Sequence, residues 1–153
     1  MRDAFRAQAR AALGPSRYDS PMAVRIVRLG SPRAKREGLR IGTVRRPPRG
    51  VRKQDFSRKN FYDVWLPELA PSEELLKFAH GGLTPARWKQ FARRYRKELS
   101  ASTPLRLLAF LAALSKETNF SVGCYWSDEA ACHRSVLREV LGESGATVAK
   151  PTD

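Results

Sequence analysis

At 153 residues the chain has the length of one domain, and a domain of this size buries roughly 68–70% of the surface its unfolded form exposes, so it needs no disulfide or metal staple to fold. A hydrophobic content of 42% and a charged content of 29% are globular values, and no run approaches the ~20 apolar residues of a membrane span, so disordered, fibrous and membrane-spanning classes are set aside. The net charge of +14 is unevenly placed: between residues 23 and 60, thirteen Lys and Arg stand against two acids, Glu37 and Asp55. A local field of that strength attracts polyanions and raises their encounter rate.

The opening Met1-Arg2-Asp3-Ala4-Phe5 has neither the apolar core nor the cleavage site of a secretory signal, so the expected compartment is the cytoplasm. There the two cysteines are thiols rather than a disulfide framework. Phe5, Ala9, Ala12 and Leu13 recur at helical spacing with Arg2, Arg6 and Arg10 on another face, after which Gly14-Pro15-Ser16 and Ser20-Pro21 break the pattern. Residues 1–22 therefore read as a basic N-terminal arm, 23–143 as the folded domain and 144–153 as a C-terminal tail.

Ala23–Leu29 alternates as a strand, and Leu39–Val44 reads as a second, of undecided direction relative to the first. Pro47-Pro48 removes two ladder donors, so the chain leaves the sheet there and runs irregularly to Pro71, pinned by Phe61, Tyr62, Val64, Trp65 and Leu66. Ser72 with Glu73 and Glu74 opens a helix that ends by His80-Gly81-Gly82. Thr84-Pro85 opens another, whose Trp88, Phe91, Tyr95 and Leu99 recur at threes and fours. Thr103-Pro104 repeats that start signal for a helix apolar nearly all round, expected to lie against the sheet. Phe120–Trp126 is a buried strand candidate, and Glu129–Leu141 the last helix. The fold class is α/β, a small single domain with a short sheet of three or more strands covered by three to four helices.

Several of these segments look familiar in order and spacing: RIVRLGSP at 25–32, EGLRIGTVRRPPRGVRK at 37–53, WLPELAPSEELLKF at 65–78 and WKQFARRYRKEL at 88–99, followed by a strand, loop and helix. Over about residues 23–143 the chain resembles the YeaO-like branch of the family called domain of unknown function 488. Members of that branch read Asp-Arg-Leu-Trp-Pro-Arg-Gly where this chain has Val44-Arg45-Arg46-Pro47-Pro48-Arg49-Gly50, so an acid and a tryptophan are replaced. Cys132-His133-Arg134 looks like the Cys-His-Arg element of other branches, with Cys124 at a strand end where they also carry cysteine. The resemblance implies a compact α/β fold and leaves catalysis open.

Two constellations carry candidate chemistry. Cys132, His133 and Arg134 stand where a strand-to-helix connection gathers backbone amides, a setting that favours anions and lowers a thiol pKa. The plainer alternative packs Cys124 in its strand and puts Cys132, Val136, Leu137, Val140 and Leu141 on the apolar stripe of the last helix. Cys124, Cys132 and His133, with distant His80, are ligand types, yet no Cys-x-x-Cys or His-x-x-x-His spacing accompanies them, so neither metal nor cofactor is expected. No P-loop, dinucleotide fingerprint or Gly-x-Ser-x-Gly is present. The second constellation is the basic, proline-stiffened run Arg45, Arg46, Arg49, Arg52 and Lys53, with Phe56, Phe61 and Tyr62 following, which suits phosphate contact and base stacking.

The function expected is binding of nucleic acid or a phosphorylated small molecule through this loop and Arg134. The alternative is an enzyme acting on a nucleotide-like phosphorylated substrate, with Cys132 and His133 catalytic and Arg49, Arg134, Asp128 or Glu129 supporting them. A third reading is an interaction module for acidic proteins.

Overall fold

The computed structural model describes residues 21–151, so the arm expected over 1–22 lies, apart from its last two residues, outside the described residues. Four strands, β1 (Val24–Arg28), β2 (Leu39–Gly42), β3 (Val64–Trp65) and β4 (Phe120–Cys124), form one sheet in the order β1-β4-β2-β3, every pairing parallel. Central β4 aligns Phe120 with Val24 and Leu39, and Val122 with Ile26 and Ile41. The alternation then puts those apolar side chains on one face and Arg25, Arg40 and Ser121 on the other.

The apolar face carries the helices. They are α1 (Glu73–His80), α2 (Pro85–Leu99), α3 (Ser102–Leu114) and α4 (His133–Glu143). Leu75, Phe91, Tyr95, Leu99, Leu108, Leu111, Val136, Leu137 and Leu141 join Val24, Ile41, Phe120 and Val122 in one buried core. Ser72 caps α1 by accepting from the Leu75 amide at 3.2 Å, and Thr84 caps α2 through the Arg87 amide. Beyond α4 the chain returns to the sheet edge, where the Val24 amide donates to Thr147 and the Ala149 amide to Val24.

Among the described residues no helix covers the opposite face. The β1–β2 connection crosses it as a loop, and its exposed carbonyls need donors. Arg40, fully buried, supplies them: Nη1 donates to the carbonyls of Ser31 at 2.8 Å and Asn60 at 2.7 Å, while Nε and Nη2 grip Glu37 at 2.7 and 3.0 Å. Glu37 also accepts from Ser121 Oγ and the Ala34 amide. Burial would push this carboxyl up, and the hydrogen bonds from Arg40, Ser121 and Ala34 more than offset that and hold it below its usual value. Two glycines let the layers close. A Cβ on Gly123 would lie 2.5 Å from the Val27 carbonyl oxygen, and one on Gly42 would lie 2.4 Å from the Tyr62 ring.

Some expectations need correction. Strand β3 falls in the stretch read as irregular; two residues are too short to show a period, and pairing with Ile41 and Gly42 defines them. Helix α3 begins at Ser102 after Ala101, so Thr103 lies inside it rather than capping it. Apolar nearly all round, α3 still leaves Leu105 53% and Phe110 61% exposed: Leu108, Leu111 and Ala112 are buried, with Leu107 and Leu114 half-buried against the core. Helix α4 starts at His133, not Glu129. Residues 125–132 are spent in leaving the end of β4, and Glu129 holds that loop by pairing with Arg138 at 2.5 Å.

Candidate anion-binding cleft

The carboxyl ends of parallel strands are where a sheet of this kind leaves space for ligands. Here the chain leaving β2 turns through Val44–Arg49 and the chain leaving β4 turns through Tyr125 and Trp126. Between them and α1 lies a cleft of about 660 Å³. Its walls include Arg45, Arg46, Arg49, Lys77 and His80, with Glu73 as the acid among them, and Cys124 and His133 reach its floor.

Neighbouring elements hold each wall in place. Arg45 donates from Nε to the Pro71 carbonyl at 3.1 Å and from Nη2 to Ala70 at 3.0 Å, which ties the proline turn to the entry of α1. Trp65 Nε1 donates to the Val44 carbonyl at 2.7 Å, and Tyr125 OH to the Arg46 carbonyl at 3.0 Å. Arg46 pairs with Glu73 at 2.6 Å, but both side chains are largely exposed, so the pair holds little energy against a competing anion.

The floor is built where β4 ends and α4 begins. Cys124 is the last residue of β4, Cys132 directly precedes α4 and His133 is its first residue; all three are buried. The His133 ring packs edge-on against Tyr95 of α2 with centroids 5.6 Å apart, and its Nε2 lies 2.9 Å from the Thr43 carbonyl oxygen. A carbonyl only accepts, so Nε2 carries a proton and Nδ1 turns toward Cys132 Sγ at 3.8 Å. The two sulfurs and a His133 ring nitrogen lie within 4.8 Å of one another. A hydrogen bond from Cys124 pulls the Cys132 thiol down against the opposing effect of burial. Cys124, the donor of that bond and buried as well, is pushed up. Of the two thiols, Cys132 is therefore the more acidic.

Of the residues singled out in the sequence, Arg45, Arg46, Arg49 and His133 line this cleft, and Cys132 stands behind His133 against Cys124. Arg52 and Lys53 do not line it. They sit on a short 3-10 turn, Lys53–Asp55, where Arg52 pairs with Asp55 at 3.0 Å. Arg134 is buried, donates to the Trp126 carbonyl at 2.6 Å and borders a separate cavity of about 310 Å³ with Arg25, Arg28 and Lys150. Lys77 and Trp126 were not singled out for the cleft, and His80 was considered only as a distant ligand; α1 brings in Lys77 and His80 by topology, which local sequence does not display. Tyr125-Trp126 did carry a signal, an aromatic pair directly after a buried strand.

Together these features define an α/β domain with an electropositive crevice at the carboxyl edge of a parallel sheet. The chain belongs to the domain-of-unknown-function 488 family: residues 24–145 match the family model described as the active DUF488-N3 subclade, with which the YeaO-like resemblance is compatible. It is similar to uncharacterized proteins of Mycobacterium bovis and of two strains of Mycobacterium tuberculosis, at 31% identity over 118 residues, covering 77% of this chain and 92% of theirs. No solved structure matches the chain.

Proposed function

We propose that the protein binds a phosphorylated ligand of nucleotide size in this cleft. The observation that carries the proposal is the convergence of Arg45, Arg46, Arg49 and Lys77 on one concave space of about 660 Å³, within the roughly 300–1,000 Å³ typical of small-molecule sites. Guanidinium forks and an ammonium suit phosphate oxygens. The rim supplies a surface for a flat ring: Trp126 is 52% exposed, beside Tyr125 and Phe61. A second reading, in which the bound molecule is a substrate, is favoured by the two thiols and the imidazole of Cys124, Cys132 and His133 gathered at the floor.

Calorimetric titration with nucleoside mono- and triphosphates and with inorganic phosphate tests the binding. Arg49→Ala and Arg46→Ala each remove a charge-assisted contact and are expected to lower nucleotide affinity by roughly 10-fold, at about 1.5 kcal/mol per lost contact. Single-stranded and duplex oligonucleotides form the comparison. Affinity that grows with duplex length, falls steeply with salt and ignores Arg49→Ala would replace the small-ligand reading with a diffuse polyanion surface.

A further inference from the structure

The floor of the cleft has the composition and spacing of a zinc site. Two cysteine sulfurs and an imidazole nitrogen, from the end of β4 and the start of α4, lie within 4.8 Å of one another. In a tetrahedral site with Zn–S near 2.3 Å and Zn–N near 2.0–2.1 Å, sulfur and nitrogen ligands sit about 3.6 Å apart and two sulfurs about 3.8 Å apart. Cys132 Sγ and His133 Nδ1 are 3.8 Å apart before any ion draws them together. The outer shell is set as well. Nε2 of His133 donates to the Thr43 carbonyl at 2.9 Å, which fixes the tautomer whose Nδ1 lone pair faces the sulfurs. Tyr95 packed against the ring holds its orientation.

We propose that Cys124 Sγ, Cys132 Sγ and His133 Nδ1 bind one Zn²⁺ ion whose fourth position opens into the cleft. Thiolate and imidazole donors in a small tetrahedral set select zinc over the hard cations magnesium and calcium. Three protein ligands with one open position are the pattern of a zinc ion that takes a water or a substrate oxygen. Cys124 and His133 both border the cleft, so that position faces the space lined by Arg45, Arg46 and Arg49. The ion would meet a phosphorylated ligand held by those arginines, as a Lewis acid or as the holder of an activated water. The sequence spacing argued against zinc because it lacks a paired-cysteine knuckle. The fold replaces that knuckle with a strand end and a helix start.

This inference names a cofactor for the site of the proposed function, and its test does not depend on nucleotide binding. The full chain, kept reduced with a non-coordinating phosphine and stripped by chelator, is titrated with Co²⁺ and then Zn²⁺. One equivalent of Co²⁺ is expected to give the visible bands of tetrahedral geometry together with a near-ultraviolet thiolate charge-transfer band, and Zn²⁺ is expected to abolish both. Cys124→Ser, Cys132→Ser and His133→Ala are expected to weaken Co²⁺ binding by more than the order of 100-fold that loss of an outer-shell partner costs. Arg49→Ala is expected to leave the cobalt spectrum intact while nucleotide affinity drops. A reduced wild-type chain that takes up no Co²⁺, or that takes it up without a thiolate band, overturns the zinc site whatever the three variants do. Nucleotide binding that survives chelation in such a chain would leave the binding proposal standing alone. A normal cobalt spectrum in a chain that binds no nucleotide would do the reverse.

Discussion

Arg40 and Arg49 belong to the same basic run, yet the fold buries the first and leaves the second exposed at the cleft wall, and replacing Arg40 with methionine exposes the difference. Methionine keeps much of the apolar stem and removes the guanidinium that Glu37 and the carbonyls of Ser31 and Asn60 depend on. The stranded carboxyl, 2% exposed, must then take a proton to remain buried. From its ordinary value of 4.5, holding that proton costs about 3.4 kcal/mol at pH 7 and about 0.7 kcal/mol at pH 5. The first figure agrees with the roughly 3–5 kcal/mol lost when one partner of a buried pair is removed, and it corresponds to a fall in Tm of roughly 6–20 °C. The sign follows from linkage. In the variant the folded-state pKa of Glu37 is raised, so the variant gains stability on acidification, whereas the paired carboxylate of the wild type stays ionised over the same window. Urea unfolding of both proteins at pH 7 and pH 5 is the assay. A loss below about 1 kcal/mol at pH 7, or one that does not shrink toward pH 5, refutes the account of Arg40 as the structural core of the helix-free face. Adding Glu37→Gln is expected to recover part of the loss at pH 7.

Asp63 tests a looser ion pair. Partial burial opposes its ionisation, but two bonds from Arg33 at 2.8 Å, the Arg40 amide and the Ser57 hydroxyl bring it down to about 2. The full shift corresponds to about 2.4 kcal/mol, and solvent screening reduces the expected loss in Asp63→Asn to about 1 kcal/mol at pH 7. A depressed carboxyl stabilises above its unfolded value, so the gap between the two proteins should close as pH falls from 3.8 toward 2; a gap that stays constant in denaturant melts over that range removes the ionic explanation. Gly123→Ala places a methyl group 2.5 Å from the Val27 carbonyl, and the strands cannot separate without breaking the β1–β4 ladder. A loss of about 3 kcal/mol is expected in thermal melts, and an unchanged Tm would show that the sheet accommodates the group.

Patterns that depend on near neighbours were readable in the sequence. Ser72 and Thr84 stood at helix starts, Trp88, Phe91, Tyr95 and Leu99 announced the buried stripe of α2, and FSVGC announced the central strand. What escaped depends on distant partners. Strand β3 exists because Val64 and Trp65 lie beside Ile41 and Gly42, not because of any period of its own. Charge was the most deceptive quantity. The run from 23 to 60 looked like one electropositive surface, but a cation in a sequence does not display its partner: Arg40 is buried on Glu37, Arg33 is held by Asp63, and Arg52 and Arg58 share Asp55. Arg45, Arg46 and Arg49 are the members that reach the cleft, and Lys77 joins them from outside the run.

The cysteines invert that lesson. Cys124 and Cys132 belong to a small apolar cluster with Leu29, Val44 and Tyr62, so the prediction that they are buried and the prediction that they are chemically special describe the same two atoms. Burial by itself would make both thiols inert. Placing the second one immediately before a helix, within hydrogen-bonding reach of the first, lowers its pKa, and placing the first at the end of the central strand brings it to the same point. Only a parallel sheet with β4 between β1 and β2 puts that point at the base of the turn carrying Arg45, Arg46 and Arg49. The meeting of these side chains at one cleft is therefore a property of strand order. A variant that keeps all three side chains but shifts β4 by one residue against β2 would turn Cys124 to the opposite face of the sheet and part it from Cys132 and His133.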